Sequence, residues 1–213
     1  MKTRDRIIHS SLELFNEHGE RAITTNHIAA HLGISPGNLY YHFRNKQDII
    51  QSIFKLFENH TSTSFQPYKD HNVNIELLIK YFDAMFYALW QFRFFYANIN
   101  DILNKDDELK LRYHKMQQQV LMQAEVLIRQ LITDGLLEVA EEDIKILADT
   151  SKMIMASWIG YRLSSTKNAT LSKADLYEGV LRVILVVKGY ATNDSKSTFE
   201  SIEQHYKSLI AEQ

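Results

Sequence analysis

Residues 24–46, TTNHIAAHLGISPGNLYYHFRNK, constrain this chain more than any other stretch, because they specify two short helices joined by a tight turn. Thr24 is a natural N-cap, its hydroxyl accepting from the unpaired amides of the first turn. Ile28, Ala29 and Leu32 then fall on one apolar face. Gly33 is expected to end this helix, since a left-handed residue is cheapest for glycine, with Ile34 folding back as the accompanying hydrophobic contact. Ser35 caps the next helix, and Pro36 sits at its first position, where a missing amide hydrogen costs nothing. At 100° per residue, Leu39 and Phe43 share a side that is predicted to bury against Ile28, Ala29 and Leu32. The opposite side carries Gly37, Asn38 and Tyr41, with Tyr40 and His42 on the flanks.

This is the layout of a recognition helix. Its first turn is small enough to approach base edges, while flanking donors fix its orientation on the phosphate backbone. The run IAAHLGISPGNLYYHFRNKQDII resembles the DNA-binding region of TetR-type regulators, with the LY.HF core and the following lysine in their expected places. The resemblance is close over roughly residues 3–60, and beyond them only the all-helical pattern agrees. The expected DNA site comprises Thr24, Thr25, Asn26, Ser35, Pro36, Gly37, Asn38, Tyr40, Tyr41, His42 and Lys46. Asn38 and Tyr41 are expected to face the groove, and Thr25, Tyr40 and His42 the phosphates. For Lys46 it is the resemblance that implies a phosphate contact. No Arg or Lys lies between Pro36 and Phe43, so the helix itself offers no bidentate arginine for guanine.

Two rival motifs carry less weight. Gly33-Ile34-Ser35-Pro36-Gly37 fits G-x-S-x-G, but a nucleophile elbow needs a strand before its serine, and the preceding IAAHL reads as helix. Proline after the serine would also remove an oxyanion-hole amide. His27 and His31 stand at i and i+4, a metal-binding spacing, yet residue 28 is isoleucine and the glutamate of H-E-x-x-H is missing. There is no Walker loop and no dinucleotide fingerprint. No catalytic residue, cofactor or metal is expected.

The chain has 213 residues, 45% of them hydrophobic, enough for one small module and one larger domain. It has no cysteine, which removes disulfides, thiolate metal sites and cysteine nucleophiles. The net charge of −2 is unevenly spread. Residues 1–55 hold seven Lys/Arg against five Asp/Glu, and five of the nine histidines, whereas the remainder holds 17 against 21. That asymmetry favours DNA at the N-terminal end. Lys2, Arg4 and Arg6 form a possible basic arm, or simply a solvated terminus. No run approaches the ~18 apolar residues of a membrane span, and MKTRDRII lacks a signal peptide's apolar core. The expected setting is cytoplasmic, without a membrane partner.

The expected fold is all-α: a three-helix helix-turn-helix module with a connecting helix over residues 1–60, then a helical ligand-binding and dimerisation domain over 61–213. An amphipathic helix is predicted from residue 3 to 18, and another begins at Asn45, which pairs with Asp48 as a cap. Residues 62–74, containing Pro67, are the expected connection. Further helices are predicted over 75–98, 106–134, 141–164, 172–190 and 197–211.

The 75–98 segment is dense in aromatics, which more often means core than a ligand box. Tyr81, Tyr87, Trp90, Tyr96, Tyr113, Trp158 and Tyr161 nevertheless carry polar handles, and Met116, Met122, Met153 and Met155 offer adaptable walls. In TetR-type proteins such a domain usually holds an inducer pocket, so the resemblance implies a small hydrophobic ligand. Phe86, Trp90, Phe94, Tyr113, Met116, Met155 and Trp158 are the candidate lining, with Arg93 or Arg112 the partner for any acidic head. Met153, Ile154, Trp158, Ile159 and Tyr161, with Leu181, Ile184, Leu185 and Val187, are expected to seal a twofold homodimer. The reading is a dimeric repressor released from a palindromic duplex operator by that ligand. The alternative is a ligand-free nucleoid-associated or cell-division regulator acting through a protein partner, which a filled core would favour.

Overall fold

The computed structural model describes residues 2–64, 74–165 and 170–213. Among them the chain is all-α: α1 (Thr3–His18), α2 (Thr25–His31), α3 (Pro36–His42), α4 (Lys46–Ser64), α5 (Ile75–Gln91), α6 (Arg93–Ala97), α7 (Ile99–Asn104), α8 (Asp107–Thr133), α9 (Glu141–Ser165), α10 (Lys173–Lys188) and α11 (Lys196–Ala211). The expected connection over residues 62–74 falls largely outside the described residues, and α4 runs to Ser64, through its first part.

Two apolar cores organise these helices. The first is built on Ile7, Phe15, Ile28, Leu39, Ile49 and Phe54 of α1–α4, and takes in Phe92, Phe94, Phe95 and Leu109 from beyond them. The second joins α5, α8, α9, α10 and α11 around Leu78, Leu131, Ile159, Ile184 and Phe199. Tyr206 of α11 is fully buried there and donates its hydroxyl proton to Asp83 at 2.7 Å.

The aromatic segment expected as one helix over 75–98 is divided. Phe92, with φ −114° and ψ 28°, ends α5, and α6 starts one residue later. The cause lies in α1, whose Asn16 side chain enters the break. Asn16 Nδ2 donates to Gln91 O at 2.9 Å, and Phe94 N donates to Asn16 Oδ1 at 3.0 Å. One amide thus satisfies both backbone groups that an unbroken helix would have paired. The break lets Phe92, Phe94 and Phe95 all turn into the first core.

Helices α9 and α10 approach closely because residue 179 is glycine. A Cβ there would lie 2.5 Å from Trp158 Cδ1. The indole fills that space and donates its Nε1 proton to Asp175 O at 2.6 Å.

Candidate nucleic-acid interface and apolar cavity

The turn between α2 and α3 forms as its residues dictate. Thr24 Oγ1 accepts from His27 N at 3.3 Å, and His27 Nδ1 accepts from Thr24 N at 3.4 Å, so His27 closes a capping box at its own helix start. Gly33 takes φ 64°, and Ile34 N donates back to Ala29 O at 3.0 Å. Ser35 Oγ accepts from Asn38 N at 3.1 Å, with Pro36 at the first helical position. Ser35 is therefore a helix cap following a helix, without the strand that an elbow serine requires.

Leu39 and Phe43 are buried against Ile28 and Ala29 in the first core. The face opposite is open. Gly37 and Asn38 are exposed, and Tyr41 is 86% exposed, an extreme value for so large a ring. His42 packs edge-on against Tyr41, with ring centroids 5.0 Å apart. Pro36, Thr24 and Asn26 are exposed beside this face, and Thr25 is half-buried. Thr25 Oγ1 and the Tyr40 hydroxyl share a hydrogen bond of 2.9 Å, which ties the start of α2 to the flank of α3. Thr24, Thr25, Tyr40, Arg44, Asn45 and Lys46 line one surface cleft there. The expected DNA residues thus gather on one side of the module.

Lys46 departs from its expected geometry. Its ammonium lies 2.6 Å from Glu20 Oε1 and donates to Glu20 O at 2.9 Å and Ile23 O at 3.1 Å. Three acceptors match its three donors, so it braces the segment before α2 instead of projecting into solvent. The Glu20 side chain is only 5% exposed, and Lys46 is its ionic partner. Arg4 is similarly occupied, donating to Ser52 Oγ at 3.0 Å and lying over the Phe43 ring.

The cation that sequence reading passed over is Arg44, whose side chain is 85% exposed at the cleft. It forks onto Asp48, with Nε donating to Oδ2 at 2.8 Å and Nη2 to Oδ1 at 3.0 Å. The Arg44 hydrogen bond holds the Asp48 carboxyl below the usual carboxylate range. An exposed pair of this kind is weak, leaving the guanidinium free to exchange its carboxylate for a phosphate. The i,i+4 spacing of Arg44 and Asp48 was the available signal.

In the larger domain a cavity of about 170 Å³ lies where the two cores meet. Phe57 of α4, Met85 of α5, Tyr96 of α6, Met116 and Gln117 of α8, and Ser151 and Met155 of α9 are among its lining. Of the seven residues expected to line a pocket, the structure brings Met116 and Met155 together here. The other five are turned elsewhere, each by a specific partner. Phe86 stacks on Tyr177 at 4.1 Å. Trp90 lies under the guanidinium of Arg93, and Phe94 packs on Phe15. Tyr113 joins Phe54 and Phe95, and Trp158 is held over Gly179. Met122 and Met153 are exposed, so they wall nothing.

The two arginines expected to meet an acidic head are also committed. Arg112 pairs with Glu58 of α4, and Arg93 donates to Trp90 O at 2.8 Å. Burial of the tyrosine rings pushes the hydroxyls of Tyr96 and Tyr113 above the usual phenol range, Tyr96 the further, so both stay neutral donors. Sequence reading passed over Ser151, whose buried hydroxyl has no hydrogen-bond partner.

The dimer residues divide as well. Met153, Tyr161 and Leu185 are 57%, 60% and 65% exposed on α9 and α10. Trp158, Ile159, Ile184 and Val187 are buried in the chain's own second core. Helical period explains the split, since each helix serves two apolar faces.

Among the described residues no helix is long and apolar enough to cross a membrane. Residues 7–53 match the family model described as bacterial regulatory proteins, tetR family, and residues 56–199 match the model described as TetR, bacterial transcriptional repressor. A TetR-family transcriptional regulator from Marinobacter aquaeolei VT8 superimposes with a TM-score of 0.88 at 34% identity, over 97% of this chain and 99% of that one. The tetracycline repressor protein class A of Escherichia coli is 40% identical over 57 residues, 26% of either chain. The regulator QacR of Staphylococcus aureus is 27% identical over 124 residues, 53% of this chain and 65% of the relative. The chain thus spans about a quarter of the tetracycline repressor and under two thirds of QacR. Two family matches that together run from residue 7 to 199, and a relative aligned over nearly its whole length, carry the conclusion: this chain belongs to the TetR family of DNA-binding transcriptional regulators.

Proposed function

We propose that the chain acts as a homodimeric repressor that leaves a palindromic duplex operator when a small hydrophobic molecule fills the cavity. The observation that carries this reading is Phe57. It belongs to α4, the helix that follows the recognition module directly, and it lines the cavity while packing on Phe92 at 4.8 Å and Tyr96 at 5.7 Å. A molecule in the cavity therefore bears on α4. Three polar clips join the same helix and its neighbours to the larger domain: Gln47 and Gln51 to Asp106, Glu58 to Arg112, and Asn16 into the α5–α6 break. Movement of α4 is passed to α3 through the shared first core.

In this reading Gly37, Asn38 and Tyr41 approach base edges, while Thr25, Tyr40, His42 and Arg44 meet phosphates and Lys46 holds the segment that presents them. Met153, Tyr161 and Leu185 meet their twofold mates. Such a dimer presents two recognition helices to half-sites about one helical turn, ~34 Å, apart. The ligand acts by favouring a dimer in which that spacing is lost. A cavity where a filled core was the alternative supports this reading over the ligand-free one. Tetracycline repressor and QacR are relatives whose names mark them as regulators, which is consistent with it.

The test joins oligomeric state to operator selection. Duplex DNA selected from a random pool by the full chain is expected to carry a palindrome, bound by a species that sediments as a dimer at micromolar concentration. Leu185→Glu would bury an unpaired carboxylate across the twofold, giving monomers with poor operator affinity. A parent chain that is monomeric at that concentration, or selected sites without dyad symmetry, overturns the proposal.

A further inference from the structure

The chemistry of the cavity wall narrows what it can hold. Its volume of about 170 Å³ is close to that of engineered apolar cavities that take one benzene ring. The walls are chiefly Leu, Ile, Val, Phe and Met side chains from α4, α5, α8, α9, α10 and α11. Lys152 is the one cationic residue of the lining, and its ammonium is drawn to Asp149 at 3.0 Å, a carboxylate whose side chain is 60% exposed. The positive charge is thus held toward solvent. A carboxylate in the cavity would lose its water without a committed counter-ion, at a cost that an apolar wall does not return.

Thr61, Tyr81, Tyr96, Gln117, Gln123 and Ser151 also reach the wall, and among these described residues Ser151 is the one with a buried side-chain oxygen that has no hydrogen-bond partner. A helical serine ordinarily returns its proton to the carbonyl one turn earlier, as Thr61 does to Phe57 O at 3.1 Å. Ser151 forgoes that bond. A buried hydroxyl without a partner carries its full desolvation cost, and a ligand atom that pairs with it recovers that cost on binding. The other hydroxyl residues of the wall, Thr61, Tyr81 and Tyr96, and the amides of Gln117 and Gln123 add no charge.

We propose that the cavity is a site for an uncharged molecule about the size of a substituted benzene, with one hydrogen-bonding group that pairs with the Ser151 hydroxyl. This rests on the reading of the cavity as the regulatory site, and it adds the ligand's class: neutral, compact and carrying a single polar group.

Three probes of one shape test it by calorimetric titration of the full chain: ethylbenzene with no polar group, 4-ethylphenol with a hydroxyl, and 4-ethylbenzoate with a carboxylate. The phenol is expected to bind tightest, by roughly three- to tenfold over the hydrocarbon, the worth of one hydrogen bond. Ser151→Ala, checked for folding by thermal unfolding, is expected to lose this margin. Ala124→Phe, which sends a ring into the cavity, is expected to abolish binding of all three. Equal affinity for phenol and hydrocarbon, or a margin that survives Ser151→Ala, overturns the hydrogen-bond assignment while leaving the cavity as a ligand site. The benzoate binding tightest overturns the neutral class and assigns the head to Lys152. Binding that persists in a folded Ala124→Phe, or no binding by any probe, overturns both this inference and the cavity as the regulatory site.

Discussion

The recognition module and the cavity are built by opposite means. Between Thr24 and Phe43, each turn of chain is specified by residues within a few positions of it: a capping box, a glycine in the left-handed region, a serine cap and a proline at the first helical position. The cavity has no such local author. Its wall is drawn from seven helices, and the partners that exclude Phe94 and Trp158 from it, Phe15 and Gly179, are remote in sequence. The interface therefore tolerates exposed aromatic side chains because backbone caps hold its shape, whereas the cavity depends on side chains that hold one another.

That contrast fails first if Lys46 is an ordinary surface lysine. Lys46→Ala leaves the buried Glu20 carboxylate without its counter-ion, and is expected to cost about 3 kcal/mol of folding stability in urea titration. A variant as stable as the parent that loses only salt dependence of DNA binding would return Lys46 to a phosphate role. Next comes Gly179→Ala, which presses a methyl group into the Trp158 indole and is expected to cost about 2 kcal/mol, read as a lowered melting temperature. An unchanged melting temperature would mean that α9 and α10 part easily.

Asn16→Ala sharpens the comparison at the junction of the two regions. It strips partners from Gln91 O and Phe94 N, and about 1.5 kcal/mol of stability should go with them. Hydrogen exchange at Phe94 should accelerate more than at Leu39; equal protection at both would show that the α5–α6 break stands without its clip. The smallest effect on folding belongs to Tyr41→Ala, expected within about 0.5 kcal/mol because the ring is almost wholly exposed. Its operator affinity should nevertheless fall by ~1–3 kcal/mol. Parent-like operator binding would remove Tyr41 from the interface.

What could be read beforehand follows the same division. The all-α fold, the turn at Gly33 and the buried pair Leu39 and Phe43 were legible because period and capping are local. Helix 75–98 was read as continuous because nothing within it marks the break, which Asn16 imposes from 75 residues away. Pocket residues were chosen for ring size, yet large rings find partners and close space. The residues left around the cavity are those that continue a helical stripe, such as Met116, Val120, Ala124 and Leu127 along α8. Ser151 was illegible for a different reason, since only the packed structure reveals that a hydroxyl has no partner. Lys46 stood where the family pattern places a lysine, but Glu20 and Ile23 take its donors.

The central claim is that cavity and recognition helix are coupled through α4, and it is tested most directly by the operator dissociation constant with and without a cavity ligand. With saturating 4-ethylphenol, the constant for the selected operator should rise by about tenfold, and saturating operator should weaken the phenol by the same factor. An operator constant that stays unchanged while calorimetry shows the cavity occupied would contradict the coupling.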